Sequence, residues 1–399
     1  MDSIFAATTL QKIRASELLH QFLPMFVVGL TVSFFTTPIF RRVAIIAGVM
    51  DHPKAGIKLH KRTTPYMGGL AIYMGWAAAI VFGLWQLKRS PFDALLSPPQ
   101  LAGVLLAGTI MVVVGLIDDA VSIAPRKKMV WQLTAGVILI ITGTGNEFLD
   151  SWLALFGIDP PRIWLWVLSV PFALLVIAGA SNAANLLDGL DGLCAGVTGI
   201  IAVSYLILAT HLATLQAEPH IDDIRMLICI ALLSGVLGFL PYNFNPASIF
   251  MGDAGSMLIG VNIAAMMLLF SEHTDPRWFL GSLMIFGLPI CDTALAIFRR
   301  VTMRRSFLLG DSQHLHHQLV RHGLTTKQTV AVLYVLATFF AMAGLNVLYI
   351  RLRFIVVVYA IVIANLVVLA TAFGLHRPDA NERRALEGNL NRHLPVDDE

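Results

Sequence analysis

Long apolar runs, separated by short polar segments, make up most of the chain. A membrane-spanning helix needs about 20 mostly apolar residues. On that measure spans are predicted near 22–40, 67–87, 100–118, 129–145, 162–181, 193–214, 225–241, 255–271, 278–298, 328–349 and 354–374, eleven in all. The fourth is short and rich in glycine, and Pro171 is a candidate kink in the fifth. The pattern is that of an all-α, polytopic membrane helical bundle. It forms a single transmembrane domain over 1–374, and 375–399 is a polar tail expected to be disordered. The first apolar run starts near Phe22. It is too long for a signal-peptide core and is not followed by small cleavage-site residues, so no cleaved leader is expected.

Composition agrees with this pattern. Hydrophobic residues make up 57% of the chain and charged residues 13%, against about 25% charged in a soluble domain. No polar stretch is long enough to be a separate soluble domain. The longest, Arg299–Gln328 and the tail after Leu375, read as loops. Cys194, Cys229 and Cys291 all lie inside apolar runs, where small buried side chains are expected rather than disulfide partners or metal ligands.

The net charge of +3 says little, but the placement of the charges says more. With the N-terminus outside, the inner segments 41–66, 120–128, 299–327 and 375–399 hold 19 of the 28 Lys and Arg residues. This bias puts the N-terminus outside and the C-terminus in the cytoplasm. On that map five polar segments share the inner face.

Each segment has a plain reading beside a chemical one. Asp118 and Asp119 end an apolar helix, where carboxylates face a cavity or partner and suit metal or phosphate chemistry. The plain alternative is a pair of solvated loop acids beside Arg126, Lys127 and Lys128. Asn182, Asn185, Asp188 and Asp191 recur every third position. On a helix they share one half of the surface, a regularity that a simple turn between spans does not need. Asp253, in Gly252-Asp253-Ala-Gly255-Ser256, can point into the same mouth or can simply cap a helix. Asn243 and Phe250 lie just before it. His314, His316 and His317 stand in a basic loop with Arg299, Arg300, Arg304 and Arg305. Zinc would need a fourth ligand that is not evident. Contact with a diphosphate suits the histidines, and headgroup anchoring is the default for the arginines. Lys58 and His60 lie in a basic loop before Gly68-Gly69, where positive-inside bias alone could account for the lysines. Carboxylates with amides suit a hard divalent cation that keeps waters and substrate phosphates. Basic residues around them imply a polyanionic substrate, and a mouth at the lipid boundary implies a lipid-borne one.

Gly-Leu-Ile-Asp118-Asp119, Asn182-x-x-Asn185-x-x-Asp188-Gly-x-Asp191-Gly, Phe250-Met-Gly-Asp253-x-Gly-Ser and His314-x-His316-His317 resemble, in the same order, the motifs of one family. It comprises the polyprenyl-phosphate N-acetylhexosamine-1-phosphate transferases of the glycosyltransferase 4 type, and the resemblance covers roughly residues 22–374. It implies transfer of a sugar 1-phosphate from a UDP-sugar to a polyprenyl phosphate, with release of UMP and with Mg²⁺, for which Mn²⁺ can substitute. By matching position, Asp253 with Asn185 would hold the metal, and Asp118 and Asp119 would handle the lipid phosphate. The histidines would meet the sugar diphosphate. Lys58, His60, Asn182, Asp188, Asp191, Asn243 and Phe250 would bind the substrate, most of them at its uridine end. At the first loop Ile57 stands where the family usually has Arg before the lysine.

The histidine loop separates branches of the family. Asp311-x-x-His-Leu-His-His-x-Leu is similar to the bacterial undecaprenyl-phosphate N-acetylglucosamine-1-phosphate branch, which starts cell-envelope polysaccharides such as lipopolysaccharide O-antigen at the inner membrane. The muramoyl-pentapeptide branch, the alternative, typically shows Pro-x-His-His-His-Phe. The resemblance implies no nucleic-acid partner and leaves a homodimer open. A phosphate monoester has a second pKa of about 6, so the acceptor needs little help from a base. Alignment and charge neutralisation should carry much of the rate. An ion-coupled transporter, the rival from another class, would place its acids near the midplane, whereas here they stand at helix ends.

Overall fold

A computed structural model describes residues 15–51, 63–87, 98–146, 148–215, 219–273, 275–302 and 314–372. Lys58, His60, Arg304, Arg305, Asp311 and the 375–399 tail lie outside the described residues.

The elements in order are α1 (Ala15–Ala47), β1 (Met50–Asp51), β2 (Thr64–Pro65), α2 (Gly68–Leu87), α3 (Pro98–Val121), α4 (Pro125–Ile141), α5 (Asp150–Ala154), α6 (Arg162–Leu187) and α7 (Leu193–Thr214). They continue with α8 (Pro219–Asn243), α9 (Gly252–Ser271), α10 (Arg277–Ile285), α11 (Gly287–Thr302), α12 (Leu315–Arg321), α13 (Thr326–Val347) and α14 (Leu352–Ala372). The all-α membrane bundle holds, and β1 with β2 makes one short antiparallel pair. Among the described residues, eight helices, α1, α2, α3, α6, α7, α8, α9 and α13, are long and apolar enough to cross a membrane.

The other expected spans take different forms. The expected straight span over 278–298 is broken, because α10 and α11 meet at 72°. Pro289 stands in the first turn of α11. It has no N–H to give to residue 285, and its ring crowds that carbonyl. The fourth expected span is α4, whose 17 residues reach only about 26 Å, short of a hydrocarbon core of about 30 Å. It starts at Pro125, a residue suited to a first helical turn, and so draws Arg126, Lys127 and Lys128 into the helix. The last expected span, 354–374, falls on α14, whose 21 residues run from Leu352 to Ala372. Pro171 lies inside α6, which runs on through it.

The centre of the bundle is α9, whose apolar window is wholly buried. A helix apolar all round is buried all round, and small residues let its neighbours come close. A Cβ on Gly115 of α3 would strike the Ala254 backbone, one on Gly69 of α2 the Gly255 backbone, and one on Gly260 of α9 the Ser181 backbone of α6. These contacts bring the polar ends of α3 and α6 to the first turn of α9.

Candidate active site

The site forms where α3 and α6 end and α4 and α9 begin. Asp118 and Asp119 occupy the last turn of α3, Lys128 the first turn of α4, Asn185 the last turn of α6 and Asp253 the first turn of α9. The ammonium of Lys128 lies between two carboxylates. It pairs with Asp118 and donates to Asp253 Oδ2 at 2.5 Å. The Lys128 and Asp253 side chains are 25% and 26% exposed, while Asp118 is 6% exposed. The cation is therefore reachable from one side and walled on the other. Asp118 also accepts from the Ile123 N–H at 2.5 Å, which folds the α3–α4 turn back onto it.

Asp119 accepts from the N–H groups of Asp253 at 2.8 Å and Ala254 at 3.4 Å, and so caps α9 from a neighbouring helix. The positive end of the helix dipole favours acids there. Gly252 has φ +72°, and a Cβ on it would run into the Asp119 carboxylate, so only glycine serves at this position. Asn185 Nδ2 donates to Asp253 Oδ1 at 2.8 Å and to Ser256 Oγ at 2.9 Å. The Asp253 carboxylate is thus held by Asn185 on one oxygen and Lys128 on the other.

Asp188 is the residue that ends α6. Enclosure by protein, with Asp253, Asp119 and Asp191 nearby, pushes its carboxyl up to about 8. Tyr66, just ahead of α2, is pushed up by burial and then by Asp119, Asp188 and Asp253, so its phenol keeps its proton. Its ring lies 6.0 Å from that of Phe250. The Phe250 segment is tied to the start of α2 by Gly68 N–H to the Phe250 carbonyl at 2.9 Å and Gly69 N–H to the Met251 carbonyl at 2.8 Å.

Other residues proposed from the sequence make hydrogen bonds within the protein. Asn243 is buried; it accepts from Gly192 N–H at 3.0 Å and donates to the Ile249 carbonyl at 3.0 Å. Asp191 accepts from Asn245 Nδ2 at 2.9 Å and from Ala247 N–H at 3.0 Å. Asn182 faces Gln132 of α4 in an amide pair, at 3.1 and 3.3 Å. These groups brace the loops that carry the rest.

The histidine segment reaches the same mouth. His316 is buried against Gly189, where an added Cβ would collide with its Nε2. Burial, and then His317, push His316 down to about 3, so its ring is neutral. The His314 and His316 rings are parallel within 8° with centroids 5.8 Å apart, and His317 lies 4.2 Å beyond His316. His314 Nδ1 meets Asp292 Oδ2 at 3.1 Å.

Lys128, Tyr66 and Asp292 were not singled out from the sequence. Asp292 carried a usable signal, as a lone acid in the apolar stretch Gly287–Phe298. Lys128 looked like one of three loop cations. Among the described residues, no group of three or more His, Cys, Asp or Glu side chains is placed to hold a metal ion. Two carboxylates that converge on one cation, with an amide beside them, nevertheless match a hard ion that keeps waters and phosphates as its other ligands.

Residues 101–271 match the family model of glycosyl transferase family 4. The chain is 30% identical over 323 residues, 80% of its own length and 83% of the relative's, to the "Probable undecaprenyl-phosphate N-acetylglucosaminyl 1-phosphate transferase" of Bacillus subtilis. It is 33% identical to the decaprenyl-phosphate N-acetylglucosaminephosphotransferase of Mycolicibacterium smegmatis, covering 77% of this chain and 78% of that one. A phospho-N-acetylmuramoyl-pentapeptide-transferase of Bifidobacterium animalis is 31% identical, with 74% and 86% covered. With the motif order, the helical bundle and these relatives in agreement, the chain belongs to glycosyl transferase family 4 and is a membrane-embedded sugar-1-phosphate transferase.

Proposed function

We propose that the protein transfers N-acetylglucosamine 1-phosphate from UDP-N-acetylglucosamine to undecaprenyl phosphate at the inner face of a bacterial cytoplasmic membrane. The observation that carries this reading is the convergence of Asp118 and Asp253 on one cationic position, with Asn185 bonded to Asp253 and the histidine segment against Gly189. The names of the B. subtilis and M. smegmatis relatives support the sugar and the lipid.

In the reaction an oxygen of the acceptor phosphate bonds to the sugar-bearing phosphorus. The bond from that phosphorus to the bridging oxygen breaks, and UMP leaves with the electron pair. Asp253 and Asp118 would hold Mg²⁺, which would neutralise charge on the diphosphate, and Asn185 would orient the Asp253 carboxylate. Lys128 supplies a second positive charge on the open side of the same site. Tyr66, protonated, offers a hydrogen bond near the carboxylates. Asp119 keeps the first turn of α9 in place and so fixes where Asp253 points.

The acceptor's tail has a matching surface. An apolar cavity of about 760 Å³ lies between α6 and the α10–α11 bend, with Phe148, Trp152, Phe172, Phe279 and Ile297 in its wall. It runs along α6 as far as Ala183 and along α11 past Thr293. An apolar slot of this kind suits a long hydrocarbon chain.

The test is UMP release by the purified protein supplied with UDP-N-acetylglucosamine, undecaprenyl phosphate and Mg²⁺. Release that depends on all three is expected, and none with active control enzyme present would overturn the reading. The orientation is checked in intact cells with single cysteines in a cysteine-free background and an impermeant maleimide. Gly157→Cys is expected to label from outside, and Ala124→Cys and Gly323→Cys only after lysis. The reverse pattern would invert the bundle.

A further inference from the structure

Two features of the histidine segment are not explained by its own sequence. His314 and His316 are both buried, and the Nε2 atom of each has no hydrogen-bond partner among the described residues. A buried polar nitrogen without a partner is costly, so the ring must be held in place by something else. For His314 that holder is Asp292, itself buried on α11. Its Oδ2 meets His314 Nδ1 at 3.1 Å, and its Oδ1 accepts from the Leu315 N–H at 2.7 Å.

The two contacts do different things. The bond to the Leu315 N–H caps the first turn of α12, whose own N-cap residue, His314, makes no side-chain cap. It ties the loop to α11. The bond to Nδ1 selects a tautomer: a carboxylate accepts, so Nδ1 carries the proton and Nε2, buried in the segment, is left as the acceptor. A buried carboxylate that orients an imidazole in this way acts through geometry and tautomer together.

We propose that Asp292 is a positioning residue for the transfer reaction. It fastens the histidine segment to α11 and fixes the His314 ring so that Nε2 is the nitrogen left to accept from a hydroxyl of the substrate. The proposal rests on the functional reading above. α12 carries His316 over Gly189, so the same anchor sets how the segment closes against the Asp188 turn. Ile290 and Thr293 of the same helix line the cavity, while Asp292 is bonded to His314 and Leu315. α11 therefore serves both the lipid slot and the histidine segment.

The experiment measures kcat and KM for both substrates, with UMP affinity measured separately by calorimetry. The variants are Asp292→Asn, Asp292→Glu, His314→Asn and the double Asp292→Asn/His314→Asn. In Asp292→Asn the amide can donate to Nδ1 and so favours the other tautomer. The expected result is a fall in kcat of about 10²-fold, with UMP affinity within about threefold of wild type. Asp292→Glu should recover part of the loss. His314→Asn keeps a donor near the Nδ1 position and lacks Nε2, so it should show a similar fall while the segment stays fastened. The double variant should be no worse than the poorer single one, because both act through one ring. Losses that multiply in the double variant, or wild-type kcat in Asp292→Asn, would overturn the proposal. Should Asp292→Asn not fold, wild-type kcat in His314→Asn does the same. If the wild-type protein releases no UMP, the functional reading fails instead, and the two failures are told apart.

Discussion

Asp253→Asn is expected to lower turnover by about 10³-fold or more, the upper range for loss of one preorganised charged group at a reacting centre. The reason lies in what meets at this side chain. Its two oxygens are held by Asn185 and Lys128, and Asp118 reaches the same ammonium. An amide keeps the size and one acceptor oxygen, but it removes the charge that a divalent cation needs, and its N–H₂ would face Lys128. The fold should survive, because α9 is capped by Asp119 rather than by Asp253. Two measurements check this, initial rates of UMP release across a Mg²⁺ titration and Mn²⁺ binding followed by electron paramagnetic resonance. Wild-type turnover would remove Asp253 from the centre of the site. Lost turnover with unchanged Mn²⁺ binding would leave it essential but move the metal elsewhere.

The second large effect concerns the donor. With UDP-N-acetylglucosamine and UDP-N-acetylmuramoyl-pentapeptide at equal concentration, the first is expected to be used about 10²-fold faster or better. The motivating residues are His314-Leu315-His316-His317, where the other branch typically carries a proline-led triple histidine. His316 is pressed against Gly189 and His314 is fixed by Asp292, so this wall of the mouth has little room to retreat from a bulky peptide. Separation of the lipid products by mass spectrometry reads the ratio. Faster transfer of the muramoyl pentapeptide would place the chain in the other branch and leave the reaction class intact. Discrimination from the 4-epimer, N-acetylgalactosamine, should be weaker, since inversion of one hydroxyl changes neither the charge nor the bulk of the donor.

Much of the site was legible because its motifs are local. Asp118-Asp119 stand at the end of an apolar run, and the polar residues from Asn182 to Asp191 keep a three-residue spacing. Asp253 is flanked by glycines at a helix start. Neither spacing nor hydropathy separates a residue that meets substrate from one that braces the frame. Asn243 and Asp191 have the same character in the sequence as Asn185 and Asp188, yet their hydrogen bonds go to loop backbone and to Asn245. Asp119 looks like the twin of Asp118, but one turns to the α9 N-terminus and the other to Lys128. Lys128 was hidden among three adjacent cations because only the fold brings it to a carboxylate 125 positions away.

The sequence by itself determined the class of the molecule. An apolar run of about 20 residues has few stable fates other than a helix in lipid, because lipid offers no partner to an unpaired backbone group. The same one-dimensional logic put the polar motifs at helix ends. The tertiary structure alone decided which polar residues converge, since convergence depends on how closely helices approach and which way each last turn faces. Gly69, Gly115 and Gly260 permit that approach around α9. Pro289 bends α11 away from α10. Asp292 joins α11 to the histidine segment. Each of these residues is visible in the chain, but its effect is exerted on a partner far along it, and that pairing exists only after packing.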